Sequence, residues 1–367
     1  MNIRFSRLLF FVLAFPLFSA GAGETDPEWG AYIPYYRLKF AAGAENVMGR
    51  PAYDPAPHAW RGRLLNSPPS YTAPSNWADS DWSLFAGRSY NTYIFHIPIE
   101  RLLDGSSPEY RRMSWVGSLI HRSGTHVWFS VIGGSGDFLA LAEDERQRDE
   151  LASRLAGIAR EYGLAGVDLD WEFPAAARER EQKAFALLAA AVKEKLPPGT
   201  LLSAAVSRWR LPGRELLDTV DRIRLMAYDG YGRHATYESA LADVEILSTR
   251  YEQPLSKIIL GLPFYGRIYS QDSEDYFRGT KSYREIVEEF SPEPGDDEAG
   301  GYYFNGPETI ERKVRWAAEK GLGGIFVWEP FHDAPGASSL SGVLAELSET
   351  LEWTTGESAE TGGSGSD

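Results

Sequence analysis

Asp168, Asp170 and Glu172 occupy alternate positions in Gly166-Val-Asp-Leu-Asp-Trp-Glu-Phe-Pro174, an otherwise apolar run that ends at proline. In a β-strand successive side chains point to opposite faces, so the three carboxyls share one face while Val167, Leu169, Trp171 and Phe173 share the other. Acids at that spacing stand about 6.5–7 Å apart along the strand. Buried together they do not all ionise, because neighbouring like charges raise at least one pKa. A carboxyl kept protonated beside ionised neighbours is what general acid catalysis near neutral pH needs. Asp168 taken alone reads equally well as a barrel-interior residue bridging strands; the file of three argues for chemistry.

Elements able to hold such a file recur along the chain. Short apolar runs lie at Ala31–Tyr36, Thr92–Ile97, Val127–Ile132, Gly166–Glu172, Leu201–Val206, Ile223–Tyr228, Lys257–Pro263 and Gly324–Trp328. Between them are segments of helical period: Leu151, Leu155, Ile158 and Tyr162, stopping at Gly163, and Phe185, Leu188, Val192 and Leu196, stopping at Pro197-Pro198-Gly199. A third opens at Pro307, continues through Ile310, Val314 and Ala317, and ends at Gly321. Strands alternating with helices predict an α/β fold, a (β/α)8 TIM barrel with its site at the carboxyl ends of the strands. The rival is a doubly wound open sheet, but no Gly-x-Gly-x-x-Gly or phosphate loop follows any strand. The stretch from Leu38 to Arg88, rich in Pro, Trp and Tyr, is expected to be a long loop above the first strand.

Composition narrows the partners. Arg4 and Arg7 precede the apolar run Leu8 to Phe18, and Ala20-Gly21-Ala22 offers a cleavage site, so residues 1–22 read as a signal peptide and the protein as secreted or periplasmic. Removing them takes the formal charge from −15 to −17. That acidity argues against nucleic acid or an anionic membrane surface, and the apolar run is too short to span a bilayer. With no cysteine and six scattered histidines, the chain offers no disulfide, no thiol nucleophile and no metal cluster; no cofactor is expected. The tail from Thr354 to Asp367 has little to bury and reads as disordered, leaving 23–353 as the folded domain, which is expected to act as a monomer.

Four ordered signals resemble the chitinase-like enzymes of glycoside hydrolase family 18. Leu164-Ala-Gly-Val-Asp-Leu-Asp-Trp-Glu172 is similar to that family's fourth-strand motif, D-G-x-D-x-D-x-E. Met226-Ala-Tyr-Asp229 resembles its sixth-strand motif, Gly261-Leu-Pro-Phe-Tyr-Gly-Arg267 its seventh, and Gly321-Leu-Gly-Gly-Ile-Phe-Val-Trp328 its eighth. Two departures stand out. Ala165 replaces the motif's first aspartate, and in the third-strand Ser-x-Gly-Gly only Gly133-Gly134 fit: Val131 holds the serine position and Ser130 falls one residue early. Both imply a weakened supporting shell around the acids.

The resemblance implies that Glu172 protonates the glycosidic oxygen and then activates water. It implies that the substrate's own 2-acetamido group is the nucleophile, with retention of configuration. Asp170 would stabilise the oxazolinium NH, Asp168 would share a proton with Asp170, and Tyr228 would bond the acetamido oxygen. Trp328 would floor the reacting sugar, and Asp229, Met226, Tyr265 and Arg267 would line the substrate site. Read without the resemblance, Tyr228 is a rim aromatic, Trp328 a barrel filler, and Arg267 with Asp229 an ion pair that positions loops. Trp60, Trp77, Trp82 and Trp209 either stack on sugars or anchor their own loops.

The implied substrate is an oligo- or polysaccharide containing N-acetylglucosamine, chitin first. Peptidoglycan or an N-glycan core would suit the same mechanism, and a lectin-like relative that has lost turnover is the non-enzymatic alternative. Ser270 to Gly300, rich in acids, reads as a solvated loop. About sixty residues separate Arg267 from the last strand, room for only a reduced form of the insertion some relatives carry there. A shallower cleft is therefore expected, favouring endo action or short oligosaccharides over processive threading.

Overall fold

The structure, a computed structural model, describes residues 26–34, 90–103, 125–172, 179–269 and 279–354. Residues 1–22, read as a signal peptide, residues 38–88, read as a long loop and holding Trp60, Trp77 and Trp82, Phe173, and residues 355–367 lie outside the described residues.

Eight parallel strands close into a barrel. They are β1 (Glu28–Pro34), β2 (Thr92–Pro98), β3 (His126–Gly133), β4 (Gly166–Trp171), β5 (Leu201–Val206), β6 (Arg222–Leu225), β7 (Ile258–Pro263) and, last in the chain, β12 (Gly324–Trp328). Closure comes from β1, which pairs with both β2 and β12, so the open-sheet alternative is excluded. Each inner strand is buried on both faces, which is why it reads as an apolar run.

The outward face of β4 carries Val167, Leu169 and Trp171, all at most 1% exposed. Trp171 stacks on Phe138 at 5.2 Å between ring centroids and meets Phe185 at 5.0 Å. Phe185 belongs to the helix Glu179–Lys195, whose buried side includes Ala184, Leu188, Ala189 and Val192. The preceding helix, Glu145–Tyr162, starts where Asp144 accepts a hydrogen bond from the Gln147 amide. It stops at Gly163, whose φ of 60° is the left-handed conformation that ends helices. Two packed helices therefore clamp the back of the acidic strand and leave its inward face to the carboxyls.

Inside the barrel, Tyr32, Ile94, Trp128, Ile259 and Phe326 form a second apolar cluster. Trp128 lies across Gly166, where a Cβ would come within 2.3 Å of the indole, so β4 must begin with glycine. The guanidinium of Arg224 stands 4.3 Å over that indole. This packed base carries the polar layer above it.

Between β7 and β12 the chain builds a small α+β insertion. Its antiparallel sheet, in the order β10-β11-β8-β9, comprises β8 (Tyr265–Ile268), β9 (Thr280–Ser282), β10 (Glu298–Ala299) and β11 (Tyr302–Tyr303). The reading of Ser270 to Gly300 as a solvated loop is corrected for its described part. Ser282 and Glu285 form a capping box that opens the helix Tyr283–Phe290, which buries Tyr283 and Ile286 and turns its acids outward. The acid count hid a three- to four-residue apolar period. Among the described residues no helix is long and apolar enough to cross a membrane.

Candidate active site

Asp168 is fully buried and bound on several sides. Its carboxylate accepts from Tyr32 Oη at 2.7 Å, Ser130 Oγ at 2.7 Å and Ser203 Oγ at 2.5 Å. Arg224 Nε lies 3.6 Å away, and the same guanidinium donates through Nη1 to Glu28 Oε1 at 2.5 Å. Ser130 on β3 and Ser203 on β5 both stand opposite Asp168 in the strand register, so one layer of the barrel delivers both hydroxyls. Burial, and after it the charge of Asp168, hold the Tyr32 phenol well above its ordinary pKa, which keeps it a donor.

The expected weakening of this shell at β3 is therefore corrected. Val131 points outward into the core, whereas Ser130, one residue early in the sequence, faces inward and donates to Asp168. Strand parity places the hydroxyl where the distance to Gly133-Gly134 did not.

Asp170 stands one layer higher and is turned elsewhere. Its Oδ2 lies 2.9 Å from His96 Nε2 on β2, and its buried Oδ1 has no hydrogen-bond partner among the described residues. No hydrogen bond joins Asp168 to Asp170 in this arrangement; the Asp170 carboxylate meets His96 instead. Burial raises the Asp170 pKa; the His96 hydrogen bond and charge pull it down, and the charge of Asp168 pushes it up.

Glu172 completes the file just beyond β4, where its backbone N–H donates to Gly133 O at 2.9 Å. Burial, then the charges of Asp170 and Asp229, push its carboxyl up to about 8. Asp170 and Glu172 line a cavity of about 150 Å³ together with Tyr32, Met226, Tyr228, Asp229, Tyr265 and Trp328. The residues expected at the site thus converge on one space, with two exceptions. Asp168 lies beneath it, and Arg267 reaches it through Asp229.

Met226, Tyr228 and Asp229 follow β6 rather than extend it, although the Met226 N–H still donates to Val206 O at 2.8 Å. Asp229 has a φ of 63°, a left-handed conformation that turns its carboxyl back toward the strand ends. There Oδ1 accepts from Tyr265 Oη at 2.6 Å and from Arg267 Nη1 at 2.6 Å. The ion pair expected of Arg267 and Asp229 is formed, and Asp229 lines the cavity as well. Tyr228 reaches its place because residue 261 is glycine: a Cβ there would stand 2.9 Å from the Tyr228 ring and 2.7 Å from Leu225 O. Burial, then Asp229, keep the Tyr228 phenol well above its ordinary value and therefore protonated.

Trp328 ends β12 at the rim, with its ring centroid 5.2 Å from His96 and 5.8 Å from Tyr32. Trp128, not Trp328, fills the barrel base. A wider concavity of about 660 Å³ opens on the other side of Tyr228 and is bordered by Trp209, Tyr231, Arg208 and Arg233. Trp209 and Tyr231 are 46% and 74% exposed and meet edge to face at 5.6 Å, while Arg208 covers one face of Trp209. Among the described residues no group of three or more His, Asp or Glu side chains could hold a metal ion.

Comparison with known proteins fits this geometry. The family model described as glycosyl hydrolases family 18 matches residues 105–333. The chain belongs to that family. It is 27% identical over 317 residues to Chitinase 1 of Aphanocladium album, covering 71% of this chain and 74% of that protein. With Endochitinase 1 of Metarhizium robertsii it shares 26% identity over 271 residues, 58% of this chain and 62% of the relative. Its fold matches a family 18 chitinase from the chitin utilization locus of Flavobacterium johnsoniae at a TM-score of 0.63 and 20% identity, covering 90% and 96% of the two chains. A chitinase from Bacteroides thetaiotaomicron gives the same TM-score at 23% identity, over 72% and 89%. The protein is a chitinase-like glycoside hydrolase on a TIM barrel.

For a family 18 hydrolase, several residues at the site had escaped the sequence reading. Tyr32, His96, Ser203 and Arg224 each face an acid of the β4 file, and Glu28 holds Arg224. The available signal was parity. His96 and Ile94, like Ser130 and Trp128, are two apart, so a polar residue sharing a face with a barrel-filling one points inward.

Proposed function

We propose that the protein hydrolyses β-1,4 bonds next to N-acetylglucosamine, in chitin or chitooligosaccharides, by substrate-assisted catalysis with retention. The protonated Glu172 gives its proton to the glycosidic oxygen as the bond to C1 breaks. The carbonyl oxygen of the substrate's 2-acetamido group attacks C1 from the opposite face, and the resulting oxazolinium ion carries its positive charge near nitrogen. Asp170 accepts the N–H and offsets that charge. The Glu172 carboxylate then takes a proton from water, which opens the ion from the face the leaving group vacated.

One observation carries this reading: Asp170, whose buried Oδ1 has no hydrogen-bond partner among the described residues, lines the same cavity as Glu172. An acceptor left open in a buried site costs about 1–3 kcal/mol, a cost offset when a ligand N–H arrives. The protonated phenol of Tyr228 supplies a donor for the acetamido oxygen, and Trp328 an apolar wall for the ring. A plant class V chitinase from Cycas revoluta, similar in fold at a TM-score of 0.58 and 18% identity, has been solved as a mutant in complex with (GlcNAc)3, the ligand class proposed here.

Mass spectrometry of N-acetylglucosamine oligomers incubated with wild type and with Glu172→Gln tests the proposal. Cleavage by the wild type alone supports it. If neither protein cuts these oligomers, peptidoglycan and N-glycans, the glycan-binding alternative takes its place. Export is part of the same proposal, supported by Arg4, Arg7 and the run Leu8 to Phe18; protein retained inside the cell with its N-terminus at Met1 would contradict it.

A further inference from the structure

Asp168 and Asp170 receive unequal support from their neighbours. Asp168 accepts three hydroxyl donors and faces Arg224. Asp170, which must be an anion to offset the oxazolinium charge, has among the described residues a single hydrogen-bond partner, His96 Nε2 at 2.9 Å. His96 is 4% exposed and is held edge-on by Trp328 at 5.2 Å and Tyr32 at 5.8 Å, so its ring is walled into the orientation that aims Nε2 at Asp170.

We propose that His96 is a positioning residue for the reaction: its Nε2–H fixes Oδ2 of Asp170, keeps that carboxylate ionised, and leaves Oδ1 directed at the substrate's acetamido N–H. The device rests on the hydrolytic reading above.

The surrounding charges show why a donor is needed there. Burial and the charge of Asp168, two residues earlier on β4, both disfavour a negative charge on Asp170, and Glu172 and Asp229 share its cavity. Tyr32 and Tyr228 are phenols held protonated. The nearby cation, Arg224, is committed to Glu28 and Asp168. His96 is what remains to hold a charge on Asp170. Its hydrogen bond and charge both pull the Asp170 pKa downward against burial. Without it, Asp170 stays neutral to higher pH, and the acid limb of the kcat profile moves up.

Two measurements test this. In the first, kcat and KM on N-acetylglucosamine oligomers are followed against pH for wild type, His96→Leu and His96→Gln. His96→Leu is expected to move the acid limb upward by about one unit, a roughly tenfold loss of kcat on that limb, with KM little changed. His96→Gln, whose amide N–H reaches the Nε2 position, is expected to return the limb close to the wild-type one. If His96→Leu does not fold, His96→Asn, whose amide stops short, takes its place.

The second measurement is independent of turnover. The Asp170 carboxyl is titrated by 13C NMR, its resonance assigned by its loss in Asp170→Asn, and its pKa should rise in His96→Leu and recover in His96→Gln. A lowered kcat with an unmoved acid limb and an unmoved Asp170 titration would reduce His96 to a packing residue and overturn the proposal. Failure of the wild type to cleave any glycan would instead remove the hydrolytic reading while the titration still reported on His96.

Discussion

Ser130 Oγ donates a 2.7 Å hydrogen bond to Asp168 Oδ2 across neighbouring strands, at a point where neither residue touches water. The contact belongs to a closed polar layer with Tyr32, Ser203 and Arg224, and that layer is the platform on which Asp170 and Glu172 stand. Buried networks of this kind are costly to leave half-satisfied. Asp168→Ala should therefore destabilise the fold by about 3–5 kcal/mol, because it leaves the hydroxyls of Tyr32, Ser130 and Ser203 without their acceptor and Arg224 with Glu28 as its remaining carboxylate, whereas Ser130→Ala should cost about 1–3 kcal/mol. Chemical denaturation of the two variants checks the order; equal effects would mean that Tyr32, Ser203 and Arg224 do not depend on Asp168.

Glu172 predicts an opposite sign for stability and activity. Its folded pKa of about 8 lies above the ordinary carboxyl value, so the native state holds this proton more tightly than the unfolded chain. The associated stability is present below the ordinary value and is lost as pH rises toward 8. Glu172→Gln, which cannot ionise, should match wild type in Tm near pH 4 and exceed it by about a few degrees near pH 9, while abolishing hydrolysis at both. Thermal melts at the two pH values read this directly, and a variant less stable than wild type at pH 9 would count against burial of the charged form.

Tyr265 and Arg267 both bind Oδ1 of Asp229. Because one oxygen takes both donors, their contributions should couple. Tyr265→Phe and Arg267→Gln should each lower kcat/KM about tenfold, and the double variant should fall short of the product. Full multiplicativity would place the two residues in separate roles.

Gly261 tests the close packing beneath Tyr228. The methyl of Gly261→Ala would meet Leu225 O and the Phe326 ring, each at 2.7 Å, so the strand or the ring must move. A stability loss of about 1–3 kcal/mol is expected, with kcat falling further than Tyr228→Phe alone would explain. Unchanged kinetics would show that Tyr228 tolerates displacement.

The barrel was legible because strands buried on both faces leave uninterrupted apolar runs; β5 and β12 match their runs residue for residue. β6 is shorter than its run, since Met226 and Tyr228 are apolar for the cavity wall and not for the ladder. The β4 acids declared themselves because three charged residues in apolar surroundings have few structural uses. Their partners did not. His96, Ser130, Ser203 and Arg224 come one each from four strands, and what joins them is register across the barrel, which a linear sequence does not encode. The order of the site could be read from parity, but its hydrogen bonds required the closed barrel.

The central claim is that the substrate's acetamido group, steadied by Asp170, attacks C1 while Glu172 supplies the proton. The 1H NMR anomer ratio of the first product released from a chitooligosaccharide, recorded before mutarotation, tests it most directly. The account predicts the β-anomer from the wild type and no product from Glu172→Gln. A first product of α configuration would mean direct attack by water and would contradict it.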